Sequence, residues 1–369
     1  MRRPGRGIFG DLVRIATMVK SMAASLTSGA NEADLPQVVA ASCLAVWMTV
    51  MVSAGLVDAR NTEGKAEARP RLHGVAFSGP RHGWVVGERG TILRTRDGGQ
   101  TWERQTIGSE NLRGVAFVSE QVGCVVGDGG LLLCTADAGE TWNRRSSGTT
   151  ATLHRIRFGT AELGWIIGAR GTILATRDGG RTWRRQRSGV RADLFDLACF
   201  SPRKCVAVGE ETTFLVAGND GSRWRLEKSL AFDIGLENVT GVTITKGNTL
   251  WIVTGSRHAF ASWSEDQGRS WHQNESSILP MIWTFSVAFW DQQRGVITGS
   301  IIVRTGANGL LFTADGGATW KVAQSPGKET VMEDAVVIDD GLGWAVGRES
   351  TIFHTQDWGR TWTLQYPKP

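Results

Sequence analysis

Seven short turns carry an acidic or amide side chain at one fixed place: Asp97, Asp137, Asp178, Asn219, Asp266, Asp315 and Asp357. Each stands five residues before a tryptophan, namely Trp102, Trp142, Trp183, Trp224, Trp271, Trp320 and Trp362. Carboxylates can ligate calcium, but that requires oxygens converging from several elements. Seven copies spread evenly along a chain cannot serve one active site. A local role fits better: Asp97 and Thr95 can hydrogen-bond the backbone of their own turn, Gly99 can take a positive φ without steric penalty, and Trp102 can wedge between neighbouring units. The fourth copy departs from the pattern, with Asn219 for Asp and Arg223 for Thr or Ser. The seventh has Trp358 where a Gly or other small residue is usual. The five cysteines and six histidines show no metal-ligand spacing, so neither a metal nor a cofactor is expected.

The elements that position these turns repeat as well. Successive tryptophans lie 40, 41, 41, 47, 49 and 42 residues apart, which places loop insertions in the fifth and sixth units. The first unit reads Leu72-x-x-Val75-x-Phe77, then Gly83–Gly87, then Thr91–Thr95, then the Asp-bearing turn, with Trp102 opening a final short run. These are four short strands, rich in β-branched residues and punctuated by glycine. Four strands in about 41 residues, repeated, are the signature of propeller blades. The expected fold is therefore all-β, a seven-bladed β-propeller over residues 72–366 with no room for a second domain. The 47 Gly and 16 Trp beside a single Tyr agree with a repeated turn-plus-tryptophan unit. No Trp-led strand precedes Leu72, so ring closure should rest on packing between blades 1 and 7 and not on a strand exchanged between chain ends.

Residues 35–57 hold no charge, and 23 residues at about 1.5 Å each can cross a hydrocarbon core about 30 Å thick. Arg2, Arg3, Arg6, Arg14 and Lys20 upstream predict a cytoplasmic arm over 1–34, one N-terminal transmembrane helix or signal segment over 35–57, and a linker over 58–71. The propeller is then exported to the periplasm, or to a thylakoid lumen. Small residues around Ser53-Ala54 and Asp58-Ala59 leave signal cleavage open, and Cys43 lacks a lipidation context. The net charge of +5 is mild, and tryptophans at fixed repeat positions argue against nucleic-acid binding.

Segments such as GWVVGERGTILRTRDGGQTW, GWIIGARGTILATRDGGRTW and GWAVGRESTIFHTQDWGRTW resemble the photosystem II stability and assembly factor family, whose propellers carry the BNR or Asp-box repeat. The resemblance spans residues 72–366. It implies an exported, non-catalytic propeller that binds a partner membrane protein or membrane complex and assists its assembly. The chain is expected to act as a monomer.

Three groups of residues are candidate sites. Arg89, Arg170, Arg257 and Arg348 follow the glycine that ends the second strand in blades 1, 3, 5 and 7. Symmetry would set them as a broken ring around one mouth of the channel, suited to an acidic segment of a partner. The alternative is ordinary surface arginine paired with Glu88 or Glu349. Arg181, Arg184, Arg185, Arg187 and Arg191 form a second basic run, either a solvated outer strand or a patch for lipid headgroups. Cys124 falls across from Cys134, where blade 1 has Trp84 across from Arg94, and Cys199 and Cys205 flank a short turn. Facing strand positions are within disulfide reach, and buried thiols are the alternative.

An Asp-box glycoside hydrolase is the rival reading. A sialidase needs a tyrosine nucleophile and an arginine triad. Tyr366 stands three residues from the end of the sequence, and Arg155-Ile156-Arg157 is the nearest match to an Arg-Ile-Pro motif. Endoglucanases of this type use two propellers. Asp128, Asp196, Glu210 and Glu211 remain as generic carboxylates facing one side. A third reading is an accessory subunit of an envelope transport complex.

Overall fold

The computed structural model describes residues 69–218, 222–227, 238–255, 259–273, 281–301, 308–326 and 330–367. The predicted arm and span at residues 1–57, Asn219 and Arg257 lie outside them. Among the described residues no helix is long and apolar enough to cross a membrane.

The strands form seven antiparallel sheets in chain order, six of them four-stranded. The fifth shows three strands, Val239–Ile244, Leu250–Thr254 and Ala261–Ser264, plus a bridge between Trp263 and His272. The first strand of each blade packs on the first strand of the next, and that of blade 7, Met332–Val337, packs on that of blade 1, Leu72–Phe77. The result is a closed seven-bladed propeller. The fourth strand of blade 7, Thr363–Tyr366, comes from its own unit, so among the described residues no strand is exchanged between chain ends. Blades 7 and 1 are joined by Ser350 donating backbone and hydroxyl bonds to the Pro70 carbonyl, at 2.9 and 3.0 Å. Trp344 stacks on Phe77 at 3.6 Å and donates its indole N–H to Gly98 O.

That Trp-on-Phe stack recurs because sheet register places equivalent residues at equivalent points. The second residue of the second strand in one blade meets the end of the first strand in the next. Trp84 stacks on Phe117 at 3.4 Å, and Trp251 on Phe289 at 5.2 Å. Where a member of the stack is missing, something else fills the space. Blade 2 has Cys124 for the Trp, bonded to Cys134 and packed with Phe158. Blade 4 has Cys199 for the Phe, bonded to Cys205 and packed with Trp165. Between blades 6 and 7 the pair is Val296 and Val337, and there Trp290 and Trp358 join the cluster. The unusual Trp358 thus replaces lost aromatic volume, although it must hold φ 64 to do so, and the Arg294 guanidinium covers its ring at 3.2 Å.

The Asp-bearing turns are closed by one repeated network. In blade 1, Thr95 Oγ1 donates to Asp97 Oδ1 and accepts from Gly99 N, while Thr101 N and Oγ1 both donate to the Asp97 carboxylate. Gly99 sits at φ 87, a backbone conformation that strains any residue with a Cβ. The same bonds occur around Asp137, Asp178, Asp266, Asp315 and Asp357. Hydrogen bonds from Thr135 and Thr141 hold the Asp137 carboxyl at about 2. In Asp178, desolvation pushes upward but bonds from Thr182 and Thr176 outweigh it, again giving about 2.

Depressed carboxyls contribute stability that is complete above the unfolded value of about 3.9 and lost as pH falls toward about 2. The part of the stability that these turns contribute, read as the difference between melts of the parent and Asp178→Ala, should therefore hold steady from pH 7 to about 4 and decline below it. Asp178→Ala should cost about 1 kcal/mol at pH 7 and less at pH 2, as loss of a cap does. Trp358→Gly relieves the backbone but empties the space between blades 6 and 7. Denaturant unfolding should show a net loss of about 1–3 kcal/mol; a gain would mean that the strain exceeds the packing.

Candidate binding surfaces

The turns that join second to third strands lie beside the segments entering the next blade: Gly90 N donates to Glu110 O, and Gly171 N to Ala192 O. The Asp-box turns lie on the opposite face, beside the first hairpin turns, with Gly98 N bonded to Arg81 O and Gly179 N to Glu162 O.

On the first face, Arg89 and Arg170 occupy the same turn position, each at φ 55. Their backbone N–H groups donate to Asn111 Oδ1 and Asp193 Oδ1 of the incoming segments, so the turns are clamped to the next blade. Arg348 does not share that position. The residue at φ 55 in blade 7 is Glu349, and Arg348 precedes it, in register with Glu88 and Ala169. The expected ring is therefore not symmetric: the turn has the same length in blades 1, 3 and 7, but in blade 7 the arginine stands one place earlier along it. Glu88 accepts the Arg71 backbone N–H at 3.1 Å.

The second residues of the first strands gather nearer the axis on this face. Arg113 is paired with Asp128 at 2.5 Å, and His154 stacks on Phe195 at 5.8 Å. Burial, followed by the field of Arg113, lowers both His73 and His154 to about 4, so each is neutral at pH 7. Burial raises Glu333 against the opposing pull of Arg71, whose Nε donates to it at 2.6 Å.

One residue further along, Arg155 reaches across the axis. Its Nε meets Asp196 Oδ1 of blade 4 at 3.0 Å, and its Nη1 meets Asp334 Oδ2 of blade 7 at 2.8 Å. Burial opposes the charge on Arg155, but the two carboxylates hold it well above its ordinary range. The same carboxylates accept backbone N–H groups of the following blades, Asp196 from Val242 and Asp334 from Val75. The triad ties blades 3, 4, 5, 7 and 1 together at the centre. Sequence reasoning did not assign it. Its signal was present, because the equivalent positions in blades 1, 2 and 5 are Gly74, Gly114 and Gly241.

The basic run of blade 3 lies on and around its outer strand, Arg184–Gln186. Arg181, Arg184, Arg185, Arg187 and Arg191 are all exposed, and among the described residues none forms an ion pair. Blade 1 differs: there Arg94 is buried and bonded to Glu103 and Glu140.

The generic carboxylates are committed elsewhere. Asp196 belongs to the triad, Asp128 to Arg113, and Glu210 accepts the Asp193 N–H at 2.9 Å. Glu211 holds a turn at φ 51. Tyr366 pairs with Ile352 at the outer edge of blade 7, and its ring packs into the cluster between blades 7 and 1. Among the described residues no group of three or more His, Cys, Asp or Glu side chains is placed to hold a metal ion.

Fold and repeated turn together define a seven-bladed propeller of the Asp-box class. A family model described as Photosynthesis system II assembly factor YCF48 matches twice, over residues 63–149 and 144–231, and across those blades the chain is similar to that family. Two curated relatives match over short stretches. Photosystem II stability/assembly factor HCF136 of Cyanidioschyzon merolae is 71% identical over 24 residues, 6% of each protein. Photosystem II assembly protein Ycf48 of Thermosynechococcus vestitus is 52% identical over 33 residues, 9% of this chain and 10% of that protein. The matched stretches thus span a tenth or less of the relatives' own length. Among solved structures, YCF48 bound to D1 peptide has a TM-score of 0.62 at 21% identity, covering 79% of this chain and 94% of that one. YCF48 from Cyanidioschyzon merolae scores 0.63 at 17% identity, covering 79% and 96%. An ancestral GH74 enzyme scores 0.64 at 11% identity, covering 82% of this chain but only 47% of that one. At these identities the likeness is one of fold.

Removing Arg155 would leave two buried carboxylates without a counter-charge, a loss of about 3–5 kcal/mol. Arg155→Met should show it in urea unfolding, and adding Asp196→Asn with Asp334→Asn should recover part. Equal stability of Arg155→Met and the parent would mean that the triad does not hold the centre.

Proposed function

We propose that this chain is a non-catalytic, exported propeller, held at a membrane by its apolar segment 35–57, that grips an acidic segment of a partner membrane protein during assembly. The observation that carries the reading is the double family match over residues 63–231, which spans the arginine-rich blade 3. A fold relative, YCF48, has been solved with D1 peptide, and the same kind of engagement is proposed here. The two disulfides suit an oxidising compartment outside the cytoplasm. A hydrolase is disfavoured because Asp128 and Asp196 are held in ion pairs, and because the GH74 neighbour is about twice as long as the matched propeller.

Exposed guanidinium groups attract acidic peptide and lose that attraction in salt. Arg89, Arg170, Arg257 and Arg348 are the proposed contacts at the turn face, with the outer strand of blade 3 as a second basic surface. Combined reversal of the four turn arginines to Glu should abolish capture of a membrane protein from detergent-solubilised host membranes. A separate Arg184→Glu/Arg185→Glu/Arg187→Glu variant tells the two surfaces apart. Capture unchanged by both variants, or hydrolysis of aryl glycosides by the parent protein, would overturn the reading.

A further inference from the structure

Each of the two disulfides bridges paired strands within one blade, but their surroundings differ. Cys124 and Cys134 are buried, at 1% and 8% exposure. Gly180, from the Asp-box turn of blade 3, lies over them: its carbonyl is 3.8 Å from Cys134 Sγ, and a Cβ on it would meet Cys124 Sγ at 3.1 Å. Cys199 is only half-buried. It lines the open axial pocket on the Asp-box face, beside Ser201 and Pro202, while its partner Cys205 is buried. The exposed Arg157 lines the same pocket, and the exposed Arg203 stands in the turn between the two cysteines. A thiolate can therefore reach Cys199 from solvent and is drawn by guanidinium groups, whereas blade 3 screens the other pair.

The two blades also differ in what holds them when the bond is opened. Blade 2 keeps its clip, with Thr135 and Thr141 bonded to Asp137. In blade 4 the same three places in the sequence are Ala217, Asn219 and Arg223. Ala217 has no hydroxyl, so the Thr-Asp-Thr network of the other blades cannot form there. Blade 4 instead carries a covalent link between its first two strands, Leu194–Ser201 and Lys204–Gly209.

We propose that Cys199–Cys205 is a thiol–disulfide exchange site that makes blade 4 redox-sensitive, opened by a dithiol reductant while Cys124–Cys134 stays closed. One thiolate of the dithiol bonds to Cys199 Sγ. The Cys199–Cys205 bond breaks, and Cys205 leaves with the electron pair and takes up a proton. The second thiolate of the reductant then displaces Cys199, which is protonated in turn. The reductant ends as a disulfide and the protein as two thiols, so two electrons have moved. Opening frees a hairpin whose first strand also carries Asp196, so the loosening reaches the Arg155 triad. The exchange needs no partner protein and goes beyond the proposed assembly role.

The test uses the full-length oxidised protein without denaturant, any free thiol, Cys43 included, being first blocked with N-ethylmaleimide. Dithiothreitol is added at about pH 8, where it is partly thiolate, and new thiols are trapped with deuterated N-ethylmaleimide and located by peptide mass spectrometry. Cys199 and Cys205 should take the label about tenfold or more faster than Cys124 and Cys134. In the same dithiothreitol, before the second alkylation, amide hydrogen exchange should rise about tenfold or more in Lys204–Gly209 of blade 4 and stay within about twofold in Gly123–Gly127 of blade 2. Labelling of neither pair, equal rates for both, or earlier labelling of Cys124 and Cys134 would each overturn the proposal. So would unchanged exchange in Lys204–Gly209 once Cys199 and Cys205 are reduced.

Discussion

A blade of this protein is apolar on both faces of its sheet, so it can bury its core only between two neighbours. The second strands are buried along their whole length, from Gly83–Gly87 in blade 1 to Gly343–Gly347 in blade 7. An open row of such blades would leave two apolar faces in water, and closure of the ring removes both. Each other feature serves that constraint. The Asp-box clips stiffen the turns so that every sheet offers the same shape, the Trp-on-Phe stacks fill the wedge between sheets, and Pro70 with Ser350 joins the last blade to the first.

The stacks also explain why the repeats are not identical. A wedge of fixed size must be filled, but several side-chain combinations fill it. Two disulfides stand where a Trp or a Phe is missing, and Trp290 with Trp358 compensates for a valine pair. Departures from the repeat that look like decay in the sequence are thus compensated, within one blade at each disulfide and across the boundary of blades 6 and 7 at Trp290 and Trp358. Trp358 holds φ 64 while its ring fills the space between blades 6 and 7.

At the axis the blades are too close for ordinary side chains, and glycine fills several of the central positions. Where charge enters instead, it does so as a set: Arg155 with Asp196 and Asp334, each carboxylate also taking a backbone N–H from the next blade. A lone buried charge would be prohibitive, whereas the linked set pins five blades. Charged and histidine side chains gather on one side of it, and an open pocket with one arginine, Arg157, lies on the other.

Fold and blade number were legible because they depend on local chemistry repeated at a constant interval. The strands Leu72–Phe77, Gly83–Gly87 and Thr91–Thr95 follow from β-branched runs and glycine, and the Thr95–Asp97–Thr101 network follows from spacing alone. The facing of Cys124 and Cys134 was legible for the same reason, since antiparallel register carries across one hairpin. Long-range arrangement was not. Arg155 and Asp334 are 179 residues apart, and only closure of the ring brings them to hydrogen-bond distance. The misplaced ring of arginines has a different cause: Arg89 and Arg170 stand two residues after the glycine that ends the second strand and Arg348 only one, so Arg348 lies level with Glu88 and the place at φ 55 falls to Glu349. The sequence by itself determined the units and their turns, because those rest on contacts within about forty residues. The tertiary structure alone decided which side chains meet at the axis and which remain unpaired, because that depends on all seven blades at once.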